Sequence, residues 1–158
     1  MLYLCMGLFA VLIVAADQLS KLWVVENIPF RGQIDAIDGL FHLTYVKNYG
    51  AAWSSFEGMI WLFALVFAVF TAVMIWEFSK KRWPFTTLER WCIAAVYGGG
   101  LGNMIDRLRM GYVVDMIEVE FISFPVFNVA DCFITCGCIL LIVHLLFFNK
   151  EFWKDEKK

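Results

Sequence analysis

The sequence has little of what most soluble enzymes rely on. It carries two histidines, His42 and His144, and no Ser–His–Asp arrangement can be built around either. It has no metal-ligand spacing and no glycine-rich phosphate loop. The formal charge of −2 offers no basic field for nucleic acid, although it excludes no other partner. Five cysteines (Cys5, Cys92, Cys132, Cys136, Cys138) make an odd count scattered through apolar runs, which does not read as a disulfide framework. The cluster from Cys132 to Cys138 could suggest a metal, but small apolar residues in a membrane helix explain it better. The first 16 residues lack the basic n-region of a secretory leader, and the apolar pattern resumes after Lys21, so they read as a retained helix.

Apolar residues, by contrast, are in excess. Of 158 residues, 61% are hydrophobic and 18% aromatic. A soluble domain has roughly 45–50% apolar residues, so lipid must cover much of this surface. A span needs about 20 mostly apolar residues. Four stretches qualify, at about 2–25, 59–78, 88–108 and 128–148. The expectation is a single all-α integral membrane domain, with four transmembrane helices and a small extracytoplasmic β-sheet. The sheet should come from the outward segments 26–58 and 109–127. Residues 40–46 are aromatic and β-branched, and residues 117–121 alternate. Basic residues set the orientation. Lys80, Lys81, Arg82, Arg90, Lys150, Lys154, Lys157 and Lys158 fall on one side. Lys21, Arg31, Lys47, Arg107 and Arg109 fall on the other. Both termini are therefore expected in the cytoplasm.

That topology gathers the polar residues. Asp17 and Lys21, then Asn103, Asp106 and Arg107, then Asn128 and Asp131, all come to the outer helix ends, while Asn48 and Asp115 lie in the outward segments. Within each helix the spacings of three and four put them on one face, and a charge facing lipid costs several kcal/mol. Lys21 or Arg109 alone could equally snorkel to the headgroups, and Asp106 with Arg107 could be an ion pair that staples the bundle. The convergence as a whole is harder to explain that way. Asp115 and Asp131 are the pair with chemistry to offer. Two carboxyls meeting in a low-dielectric site cannot both ionise, so one keeps a proton. The pair then supplies a base for water and an acid for a peptide carbonyl, titrating as a unit. A transporter or a non-catalytic membrane subunit would be the alternatives. A transport path needs polar groups along its depth, and here they are one-sided.

Five blocks carry a resemblance: "DQLSK" (Asp17–Lys21), "NYGAAW" (Asn48–Trp53), "GNMIDR" (Gly102–Arg107), "VVD" (Val113–Asp115) and "FNVAD" (Phe127–Asp131). In this order on a four-span frame, the chain resembles the bacterial lipoprotein signal peptidases, also called signal peptidase II. The likeness spans most of the chain and is weakest in the tail and at 54–90. It implies an intramembrane aspartic endopeptidase, with Asp115 and Asp131 catalytic. That enzyme would remove the signal peptide from diacylglyceryl-modified prolipoproteins on the amino side of the lipid-bearing cysteine. Asn48, Gly50, Asn103, Asp106, Arg107, Asn128 and Ala130 would then support the dyad or contact substrate. Asp17 and Lys21 would form a structural polar pair. The resemblance further implies no metal or other cofactor, inhibition by globomycin-like cyclic peptides, and a place in the bacterial cytoplasmic (inner) membrane. Nothing in the sequence requires more than a monomer. Phe41, Tyr45 and Trp53 are expected to clamp substrate from the sheet.

Overall fold

A computed structural model describes residues 1–50 and 55–154; Trp53 and the tail lysines Lys157 and Lys158 lie outside them. Among the described residues, four long helices carry a three-stranded antiparallel sheet. The order is α1 (Leu2–Asn27), β1 (Gln33–Ile37), β2 (Phe41–Asn48), α2 (Ile60–Lys80), α3 (Thr87–Met110), β3 (Val113–Val119) and α4 (Val129–Phe147). A short 3-10 turn follows at Lys150–Trp153. Three of the helices, α1, α2 and α4, are long and apolar enough to cross a membrane.

The remaining helix, α3, falls short of that apolarity and has the most buried residues of the four. It packs against α1, α4 and α2, and Cys92, Ala95, Gly98, Gly99, Gly102, Asn103 and Asp106 are buried along it. Its glycines let backbones approach closely. A Cβ on Gly98 would sit 3.0 Å from the Ala10 carbonyl oxygen, and one on Gly99 would sit 2.5 Å from that of Ala130. This is the small-residue packing by which helices associate without a hydrophobic drive between them. The helix starts in a Thr86–Glu89 capping box and ends at Gly111, whose φ of 81° suits the left-handed region.

The sheet order is β1-β2-β3. Strand β1 was not among the expected strands. Its residues are all exposed, so no buried face imprints an alternation on the sequence. Hydrogen bonding to β2 holds it, closed by a turn with Gly39 at φ 71°. Strand β3 begins at Val113 rather than 117, since Val113, Val114, Asp115 and Met116 are all buried and show no two-residue period. The β2–β3 register pairs Val46 with Asp115 and Asn48 with Val113. Opposed residues share a sheet face, so Asn48 and Asp115 lie on one side. Tyr45 and Val114 lie on the other, packed with Val24, Ile28 and Met116 against the end of α1. Phe127 bridges to Ile117, and this pins β3 beside the start of α4.

Candidate active site

The bridge at Phe127 brings Asp115 and Asp131 to one place. Asn128 caps α4: its Oδ1 accepts from the Asp131 backbone N–H at 3.0 Å, and its own backbone N–H donates to Asp131 Oδ2 at 3.1 Å. With Oδ1 occupied, the Asn128 amide donates from Nδ2 to Asp115 Oδ1 at 2.8 Å and to Asn103 Oδ1 at 3.1 Å. Asn103 Nδ2 donates to Asp131 Oδ1 at 2.8 Å, and Asn48 Nδ2 donates to Asp115 Oδ2 at 2.9 Å. Each carboxyl thus accepts two N–H bonds, and one asparagine touches both. Burial pushes the Asp115 carboxyl up to about 7. The Asn48 hydrogen bond opposes that rise and the nearby charge of Asp131 adds to it.

A second set lies behind the first. Lys21 is buried rather than snorkelling. Its Nζ lies 2.8 Å from Asp17 Oδ2 and 2.9 Å from Asp106 Oδ2, and it donates to Asn103 Oδ1 at 3.0 Å. Asp17 Oδ1 also accepts from the backbone N–H of Ala130 at 3.0 Å, which ties α1 to α4. Asp106 Oδ2 accepts from Val114 N at 3.2 Å, which ties α3 to β3. Asp106 and Arg107 do not form the stapling ion pair considered above, because adjacent helical residues point in different directions. Instead Arg107 donates from Nη2 to the Gly50 carbonyl at 2.7 Å and stacks 4.2 Å from the Phe63 ring centroid. Gly50 N in turn donates to Asn48 Oδ1 at 2.9 Å. Among the described residues, no buried side-chain nitrogen or oxygen is left without a partner.

Both aspartates line a cavity of about 1090 Å³, with Asn48, Asn103 and Arg107 at the same polar end. The rest is largely apolar, with Phe63, Val66, Phe67 and Phe70 from α2, Val96 from α3 and Ile134 beside Thr135 from α4. Helix α2 rests mainly on α3, leaving room between α2 and α4. The aromatic clamp is not made by Tyr45, which is 7% exposed and packed against α1 on the opposite sheet face. Phe41 lines a separate recess with Trp23 and Met116, and Trp53 lies outside the described residues. Phe56, Phe124 and Phe127 line the cavity instead.

Three features had no counterpart in the sequence reading. Gln18 donates to Asp106 Oδ1 at 2.8 Å and to the Gly102 carbonyl at 3.2 Å; its place one residue after Asp17 was the available signal. Glu89, fully buried, binds His144 Nδ1 at 2.8 Å and accepts from Asn149 Nδ2 at 2.7 Å at the far end of the helices. The Thr86-x-x-Glu89 capping pattern could have pointed to it. His42, on the sheet, lies 2.8 Å from Glu118, whose hydrogen bond raises its pKa.

The family model described as signal peptidase (SPase) II matches residues 9–147. The lipoprotein signal peptidase of Streptococcus agalactiae serotype Ia is 40% identical over 94% of this chain and 92% of its own length. That of Lactococcus lactis subsp. lactis is 41% identical over 84% and 87%. Two solved structures described as bacterial membrane enzymes obtained by the in meso method are each 30% identical. One, at a TM-score of 0.85, covers 98% of this chain and 93% of its own; the other, at 0.81, covers 92% and 94%. This chain belongs to the signal peptidase II family and is a peptidase.

Proposed function

We propose that this peptidase cleaves the signal peptide from diacylglyceryl-modified prolipoproteins, on the amino side of the lipid-bearing cysteine, with Asp115 and Asp131 as the catalytic pair. The observation that carries the reading is the shared cavity: two carboxyls joined through Asn128 at the polar end of an otherwise apolar space. Asp115 holds the shared proton, consistent with a value of about 7. It donates that proton toward the scissile carbonyl oxygen while the Asp131 carboxylate takes one from the attacking water. As the tetrahedral intermediate collapses, Asp131 returns its proton to the departing amine and Asp115 recovers its own. Asn48, Asn103 and Asn128 hold both carboxyls with neutral amides. Arg107, Gly50, Asp106 and Ala130 fix the frame around them.

In this reading α3 is a fourth span, shielded from lipid by its neighbours. Both termini face the cytoplasm, and the sheet and the pair lie at the outer face of the bacterial cytoplasmic membrane. The gap between α2 and α4 admits the substrate sideways from the bilayer. Its apolar depth suits acyl chains and an apolar signal segment, whereas an ion path needs polar groups throughout. The protein acts as a monomer, needs no cofactor, and is blocked by globomycin-like cyclic peptides occupying the same cavity.

The test is cleavage of a diacylglyceryl-modified prolipoprotein by purified protein in detergent. Asp115→Asn and Asp131→Asn should each lower the rate by at least about 100-fold with the helical fold retained. Cleavage near the wild-type rate by either variant rules out this assignment.

A further inference from the structure

The second polar set has more to do than join helices. We infer that Lys21 is a positioning residue for hydrolysis, holding the Asn103 amide and, through it, the carboxylate of Asp131. This inference rests on the reading of Asp131 given above.

The argument turns on what an ammonium can do. It has three N–H donors and no lone pair. Whatever atom of Asn103 faces Lys21 Nζ at 3.0 Å must therefore be the oxygen. The same oxygen accepts from Asn128 Nδ2, whose own oxygen is already engaged by the Asp131 backbone N–H. The amide nitrogen of Asn103 is left with one direction, toward Asp131 Oδ1 at 2.8 Å. A flipped Asn103 would put its NH₂ against the Lys21 ammonium and the Asn128 NH₂, and its oxygen against the Asp131 carboxylate. Every contact would then be repulsive.

Lys21 cannot easily relax from this role. Asp17 Oδ2 at 2.8 Å and Asp106 Oδ2 at 2.9 Å grip it from α1 and α3, and it is 3% exposed. Those carboxylates are placed in turn by Ala130 N, Gln18 Nε2 and Val114 N. The position of Asp131 is thereby referred to α1, α3 and β3 as well as to its own helix. Without Lys21, the orientation of Asn103 depends on the single bond from Asn128, and the proton-accepting oxygen of Asp131 loses a fixed donor.

Replacing Lys21 alone would strand two buried carboxylates and endanger the fold. The test variant is therefore Lys21→Met with Asp106→Asn. It keeps the net charge of the Asp17, Lys21 and Asp106 group at −1 and removes the donor to Asn103. Its reference is Asp106→Asn alone. Relative to that reference, kcat for the prolipoprotein should fall about 100-fold, the loss expected from misplacing a reacting group. KM should hold, because the apolar cavity wall is untouched. Lys21→Arg, which keeps the charge and an N–H donor near Asn103, should recover part of the rate. If kcat of the double variant matches the reference while only its melting temperature drops, Lys21 is merely structural and the inference fails. If instead Asp131→Asn itself cleaves at the wild-type rate, the fault lies with the reading of Asp131.

Discussion

Asp115 is 3% exposed and accepts hydrogen bonds from the Asn48 and Asn128 amides, with Asp131 nearby and the charge of Lys21 partly offsetting the rise that burial brings. Burial and the charge of Asp131 keep its proton on to about 7, well above the ordinary value of 3.8. A carboxyl raised in this way is protonated below that pH and ionised above it. Hydrolysis that needs one proton on the pair should therefore decline as the pH rises through about 7. A pH profile of kcat/KM, which reports the free enzyme, checks this, and a value that stays level far beyond that pH contradicts it. At this scale the sequence was informative about polarity and poor about pairing. Asp17 and Lys21 at spacing four do meet, because a helix brings such residues together. That Lys21 would also reach Asp106 on another helix depended on the α1–α3 approach. No spacing along the chain encodes that approach.

The elements show the same division. Helices occupy all four expected stretches, and three of them are apolar enough to cross a membrane, since length and apolarity are sequence-local properties. Strand β1 leaves no periodic signal in the sequence because pairing rather than burial holds it. The glycines of α3 sit where helix backbones approach closely, and the distances have consequences. A Cβ on Gly99 would also lie 2.8 Å from Ile134 Cγ1, while one on Gly7 would meet nothing within 4 Å. Gly99→Ala should therefore destabilise by about 1–3 kcal/mol. Gly7→Ala should be neutral or stabilise by up to about 1 kcal/mol, as expected for removing glycine from a helix. Denaturation of the two variants side by side measures the difference, and equal stabilities would remove close packing as the reason for the α3 glycines.

Among the described residues, two buried polar clusters sit at opposite ends of α3. One surrounds Asp115 and Asp131. The other joins Glu89, His144 and Asn149, and docks the segment after α4 onto the start of α3. The first was legible because several motifs converged on one end. Of the second, only Glu89 carries a local signal, in the Thr86-x-x-Glu89 capping pattern, because His144 and Asn149 reach it only when α3 and α4 pack. Glu89→Ala should cost about 1–3 kcal/mol of stability by leaving buried donors unpaired. The folded protein should still cleave at the wild-type rate, as Glu89 lies at the opposite end of α3 from the cavity. A lowered kcat with stability unchanged would instead link the two centres.

The claim on which all of this depends is that one proton is shared between two carboxyls and resides on Asp115. Infrared difference spectra of the detergent-solubilised protein, taken across its titration near pH 7, read that proton directly. The account predicts a protonated-carboxyl band that vanishes as the pH rises through about 7 and is absent from Asp115→Asn. In Asp131→Asn the band should persist but titrate at lower pH, because the neighbouring charge has gone. A spectrum without any such band below that pH, or one unchanged in Asp115→Asn, would contradict it.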